Sequence, residues 1–227
     1  EVLDALPLAK TEQAVRMLLA QPTAWEKLPT SADELQKILE DRSGHWLINT
    51  PTVAIVGPAN VGKSTLANQL FGQERSITAD MPGTTRDWVG EIANIDGLAV
   101  LLLDTPGQRA TDDPIEHAAI HASRAPIRAA DLVIVVLDCT LPLDRELVAS
   151  HPTAICVANK SYGPHQWNAA EIDAIETVAI DGRGMDALRS AIRRRFGFAS
   201  MEIGKIRWWT ERQRECLRAA AESVGRL

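Results

Sequence analysis

The chain has 227 residues, 24 Lys and Arg against 30 Asp and Glu, and a formal net charge of -6. Its 45% hydrophobic and 24% charged residues are those of a globular α/β chain long enough to bury a core, which excludes global disorder and fibrous repeats. Three widely spaced cysteines, Cys139, Cys156 and Cys216, exclude a disulfide framework or a Cys-x-x-Cys zinc clip.

Residues 1–50 have a helical period: Val15, Leu18 and Leu19 share one face, and Leu35, Ile38 and Leu39 share another. Ser31-Ala32-Asp33-Glu34, with Pro29 just before it, reads as a capping box opening the second helix. From 51 to 197 short apolar strands alternate with helical segments, the pattern of a mostly parallel sheet wrapped by helices. The strands predicted are 53–56, 88–93, 98–103, 132–137, 154–158 and 175–180. The helices predicted are 63–71, 115–130, 143–149 and 185–195. A linker follows over 197–204, then a charged helix over 208–224 with Cys216, Leu217 and Ala220 at helical spacing. The expected organisation is a helical segment (1–50), an α/β domain (51–197), and a linker with a basic helix (198–227). Cys139 and Cys156 sit in apolar runs, where a buried thiol is expected, and a reducing, cytoplasmic setting fits. No apolar run approaches bilayer-spanning length. The start, Glu1-Val2-Leu3-Asp4, has neither region of a signal peptide, and a start without Met fits a fragment.

Gly57-Pro58-Ala59-Asn60-Val61-Gly62-Lys63-Ser64 is a complete Gly-x-x-x-x-Gly-Lys-Ser phosphate loop between a predicted strand and a predicted helix. Its backbone N–H groups, from Asn60 through Val61 and Gly62 to Thr65, are expected to curl around phosphates at a helix N-terminus. Lys63 is expected to reach the β- and γ-phosphates and the Ser64 hydroxyl to ligate magnesium. Asp104-Thr105-Pro106-Gly107 ends a predicted strand. There Asp104 suits magnesium and the Gly107 N–H suits the γ-phosphate. Between them, Pro82-Gly83-Thr84-Thr85-Arg86-Asp87 offers Thr85, with Thr84 as the fallback, for magnesium and the γ-phosphate; an ordinary surface loop is the other reading.

Together these pieces resemble the translation-factor-like GTPases, and the Asn-Val-Gly-Lys-Ser-Thr and Pro-Gly-Thr-Thr-Arg-Asp spellings resemble the Era/TrmE branch. The spacing from Gly57 through Thr85 and Asp104 to Glu116 is similar to that of the TrmE (MnmE) tRNA-modification GTPases, over about residues 50–197 and more loosely at 208–222. The resemblance implies a Ras-like P-loop fold with helical extensions, and hydrolysis of GTP with magnesium and potassium. It implies that Asn60 helps hold potassium in place of an arginine finger, that Glu116 orients the attacking water, and that GTPase domains pair across their switch segments. Read from the residues alone, Glu116 near a helix start with Asp112 and Asp113 also just favours the helix dipole.

Three departures bear on function. Gln108 stands directly after Gly107, where Ras-like enzymes place a water-orienting Gln, so Gln108 and Glu116 both stand as candidates. Asn159-Lys160-Ser161-Tyr162 occupies the place of an Asn-Lys-x-Asp guanine motif. Asn159 is expected to tie the base loop to the phosphate loop, and the Lys160 stem to cover the base. The carboxylate that would accept guanine N1–H and the 2-amino group is missing, and each such charge-assisted bond typically gives about 1.5–3 kcal/mol. In the loop 178–184 the Ala179 N–H is left to meet O6. The alternative readings are a nucleotide-gated assembly module with weak hydrolysis, or relaxed base choice with ATP accepted. The chain also lacks the family's terminal Cys motif, Cys216 lying inside a predicted helix.

Residues 1–182 carry 13 basic and 25 acidic side chains, net -12, whereas 183–227 carry 11 and 5, net +6. An RNA partner at the Arg-rich end is therefore open, as is docking of that end within the protein. Trp208-Trp209 beside Arg207 and Arg212 suits helix packing or base stacking. His117 and His121, four apart with no third ligand in sight, read as solvated.

Overall fold

The structure, a computed structural model, describes residues 1–71, 90–104, 129–200 and 202–224. Among the described residues six strands form one sheet: β1 (Thr52–Val56), β2 (Gly90–Ile95), β3 (Leu98–Asp104), β4 (Leu132–Asp138), β5 (Ile155–Asn159) and β6 (Ile175–Glu176). Their order is β2-β3-β1-β4-β5-β6, and every pair from β3 to β6 is parallel. Strands buried on both faces read as continuous apolar runs rather than alternating ones, which is how Val53–Val56 and Leu132–Leu137 read. The central register sets Val53 beside both Leu102 and Leu132. At one edge, Asp96 (φ 46) and Gly97 (φ 99) both take left-handed backbone, the two-residue turn that returns β3 antiparallel to β2.

Helices are α1 (Val2–Ala5), α2 (Glu12–Trp25), α3 (Ala32–Glu40), α4 (Ser43–Ile48), α5 (Lys63–Phe71), α6 (Arg145–Ser150), α7 (Met185–Arg195) and α8 (Glu211–Val224). The chain divides into two compact units: Glu1–Thr50 with Asp96–Ala99 and Arg193–Leu227, and Pro51–Ile95 with Val100–Ile192.

Within the sheet unit one cluster packs Val56, Val135, Leu137, Cys139, Cys156, Ala158, Trp167 and Ala169. Cys139 and Cys156 are buried in it as expected, and burial raises both thiol pKa values, which keeps them protonated and inert.

In the other unit α3 and α8 bury Leu35, Trp208 and Leu217 against Trp25, Leu28, Ile38 and Leu39. Three expectations are corrected here. Leu19 is 55% exposed; the inward face of α2 is Ala14, Met17, Leu18, Gln21 and Ala24, because Gln21 is held inside by hydrogen bonds rather than excluded. The last helix begins at Glu211 rather than 208, since Thr210 Oγ1 caps it by accepting from Gln213 N at 3.2 Å. Trp208 and Trp209, 4% and 5% exposed, are core residues as the helix-packing reading expects, with Trp208 Nε1 donating to Ile38 O at 3.0 Å. Ser31 caps α3 by accepting from Glu34 N, but the Glu34 carboxylate returns to the Ser31 hydroxyl at 2.8 Å.

Arg207 is fully buried and joins the two ends of the chain. Its backbone N–H donates to Gln21 Oε1 (2.8 Å), Nε to Ser43 Oγ (3.1 Å) and Nη1 to the Glu202 and Lys205 carbonyls. Burial pulls its pKa down, opposed by the charges of Asp41 and Glu202. The crossing is tight at Gly44, where an added Cβ would fall 2.1 Å from Trp208 O. Gly44→Ala is therefore expected to cost about 1–3 kcal/mol by overpacking. Gly204→Ala, with open space around it, should stay within about 0.5 kcal/mol; thermal unfolding of the two variants checks this.

Candidate nucleotide site

The phosphate loop leaves the buried end of β1 and runs into α5, whose first residue is Lys63. Two glycines let it do so. A Cβ at Gly57 would lie 2.3 Å from Val136 O, and one at Gly62 (φ 98) 2.4 Å from Asn159 Nδ2, so no side chain fits at either place. Asn60 also takes left-handed backbone, φ 64, with its side chain exposed. Lys63 is 7% exposed, and its ammonium donates to the carbonyls of Gly57 (2.9 Å) and Pro58 (2.7 Å). Ser64 is exposed, Thr65 half-buried and Val61 buried.

Across the loop, at the end of β5, stands Asn159, 3% exposed. Its Nδ2 donates to Val61 O at 2.8 Å, and its Oδ1 accepts from Thr177 Oγ1 and from Ala179 N, each at 3.1 Å. One carboxamide thus spans the phosphate loop and the loop after β6. That loop shortens the predicted last strand. β6 ends at Glu176; Thr177 N still donates to Ala158 O at 2.9 Å, and the chain then folds back at Val178, whose N–H donates to Arg183 O at 3.0 Å and whose carbonyl accepts from Gly182 N at 2.9 Å. In this structure the Ala179 N–H, expected to face the base, is engaged by Asn159.

Lys160 follows with φ 64, a backbone state that costs a non-glycine residue roughly 1 kcal/mol or more. Its ammonium donates to Asp138 Oδ2 at 2.6 Å. The other Asp138 oxygen accepts from the Thr140 N–H (2.9 Å) and hydroxyl (2.6 Å). Burial alone would raise the Asp138 pKa; the hydrogen bonds from Lys160 and Thr140 outweigh it and hold the carboxyl below its usual value. Tyr162 is 60% exposed.

The structure thus gathers Asn60, Val61, Gly62, Lys63, Ser64, Asn159, Lys160 and Ala179 around one edge of the sheet. Asp104 ends β3 in register with Ile55 of β1. Thr84, Thr85, Gly107, Gln108, Glu116, His117 and His121 lie outside the described residues. Among the described residues no three His, Cys, Asp or Glu side chains cluster to hold a metal, and no helix is long and apolar enough to cross a membrane. Sequence reasoning missed Asp138, Thr140 and Thr177. Asp138 had a signal, a carboxylate at the C-terminal end of a parallel strand; Thr177 had none without the fold.

The Asp138 carboxyl titrates lower in the folded chain than unfolded, so its stabilisation is present above the unfolded value near 3.8 and is lost as pH falls through the folded one. Asp138→Asn should be less stable than the parent at neutral pH, with the gap closing below about pH 4, as urea unfolding across pH will read.

Known proteins place this geometry. The family described as 50S ribosome-binding GTPase matches residues 52–160. The tRNA modification GTPase MnmE of Synechococcus sp. (strain CC9605) is 37% identical over 200 residues, 85% of this chain and 44% of that protein. MnmE of Koribacter versatilis (strain Ellin345) is 42% identical over 151 residues, 63% of this chain and 33% of that protein. The chain thus spans less than half the length of these relatives. Among solved structures, a variant of Aquifex aeolicus Era bound to GDP.AlF4- is 29% identical over 64% of this chain and 56% of that one, with TM-score 0.49. The matched family span opens on the first residue of β1 and closes on Lys160, so it takes in both the phosphate loop and the Asn159 clamp, and over these residues the chain has the P-loop GTPase fold.

Proposed function

We propose that this chain is the GTP-hydrolysing portion of a protein of the MnmE type, acting in tRNA modification. The observation that carries the reading is the Lys63 ammonium seated on the carbonyls of its own loop, beside an asparagine that ties that loop to the base side. Triphosphate oxygens replace the Gly57 and Pro58 carbonyls as partners of Lys63. The loop N–H groups and the start of α5 hold the phosphates. Ser64, Thr85 (or Thr84) and Asp104 are hard oxygen donors of the kind magnesium takes, and the ion neutralises charge on the β- and γ-phosphates. Asn60, exposed and left-handed, would offer an oxygen donor to potassium, and Gly107 would sense the γ-phosphate. Glu116 or Gln108 orients water, and pairing of two copies through the switch segments completes the site. For RNA, Arg194, Arg195 and Arg218 are exposed, whereas Arg207 is buried and unavailable.

A second reading is a nucleotide-gated module with weak hydrolysis and relaxed base choice, ATP included. It is favoured by Tyr162, which stands exposed where a base-reading carboxylate belongs.

Turnover of GTP in potassium and in sodium separates the two. The first reading expects potassium-stimulated hydrolysis that falls at least about a hundredfold in Lys63→Ala. It also expects a comparable loss in only one of Glu116→Ala and Gln108→Ala, which identifies the water-orienting residue. Turnover unaffected by Lys63→Ala contradicts it, and rapid turnover by the chain alone contradicts the second reading.

A further inference from the structure

Guanine presents N1–H and a 2-amino group side by side, and hypoxanthine presents N1–H alone. Only an acceptor aimed at the 2-amino group tells the two bases apart, and a carboxylate is the side chain that accepts both guanine donors at once. Four carboxylates among the described residues lie nearest the base side, and two of them have both oxygens engaged. Both oxygens of Asp138 are engaged, one by Lys160 and the other by Thr140. Both oxygens of Asp181 are engaged by Arg183, through its N–H (3.0 Å) and its Nε (2.9 Å). Glu176 directly precedes Thr177. Glu176 is exposed and its side chain leaves the strand opposite to that of Thr177. Asp173 lies ahead of β6, its charge felt at Cys156 near the start of β5, at the end of the sheet away from the phosphate loop.

The neutral acceptor is also taken. Asn159 Oδ1 already accepts from Thr177 and Ala179. The place three residues after Asn159 is fixed by the backbone: Ser161 N donates to Thr177 O and Gly163 N to Lys160 O, each at 3.1 Å. On that fixed turn stands Tyr162, 60% exposed, whose side chain offers one neutral oxygen.

We infer that this site does not read the purine 2-amino group, so that guanosine and inosine triphosphates are equivalent ligands, and that Tyr162 is the position responsible. The inference rests on the GTP-hydrolase reading and names its substrate class more fully.

The test is competition of GTP and of ITP against one labelled GDP on the 227-residue chain with magnesium, repeated with Tyr162→Asp and Tyr162→Phe. The expected result is a GTP:ITP affinity ratio within about threefold of unity for the parent and for Tyr162→Phe. Tyr162→Asp, which restores a carboxylate on the same turn, should raise the ratio about tenfold or more, the usual effect of one charge-assisted hydrogen bond. A parent chain that prefers GTP by tenfold or more overturns the inference and leaves the hydrolase reading standing. A ratio that changes in Tyr162→Phe overturns it too, because the hydroxyl then reads the base. An unchanged ratio in Tyr162→Asp overturns the assignment to position 162. Failure of both triphosphates to displace GDP overturns the hydrolase reading and this inference with it.

Discussion

A parallel sheet delivers its loops to one edge, but it does not fix their positions relative to each other; in this chain a single buried carboxamide does. Asn159 donates to Val61 O in the phosphate loop and accepts from Thr177 and Ala179 in the loop after β6. A buried polar group of this kind is expensive to leave unpaired, so the three partners and the side chain hold one another in place. The space is closed as well as bonded, since Gly62 has no room for a Cβ against the same Nδ2. The phosphate side and the base side are one object because of this residue.

Around that junction the charges are already paired. Lys63 rests on two carbonyls and Lys160 on Asp138. Neither ammonium has to be desolvated anew when a phosphate or a base arrives; it exchanges one set of partners for another. The two non-glycine residues at φ 64, Asn60 and Lys160, lie one on each side of the clamp. Strain of this sort persists where the surrounding bonds over-determine it, and here those bonds are the Asn159 set and the Asp138 pair.

Much of this was legible in the chain. The phosphate loop is a contiguous motif whose residue types carry its chemistry, and α5 and α7 begin and end where their periodicity says. The buried strands announce themselves as apolar runs. What failed depended on contacts between residues far apart. Leu19 looked like a core residue and Gln21 a surface one, yet Gln21 is buried because Lys205 O and Arg207 N complete its hydrogen bonds from more than 180 residues away. The last strand looked six residues long but ends after two, because Val178 turns the chain back and pairs with Arg183 instead of extending the ladder. Lys160 was readable as a base-covering stem and Asp138 as a carboxylate at a strand end, but not their pairing, because only the alignment of β4 with β5 brings them together.

The central claim is that Asn159 makes the phosphate loop and the base loop one unit, and amide hydrogen exchange in Asn159→Ala tests it most directly. Loss of the clamp should speed exchange at Ala179 and at the phosphate-loop amides together, each by tenfold or more, while the amides of β4 and of α8 keep their parent rates. Faster exchange confined to one of the two loops, or to neither, would contradict the account.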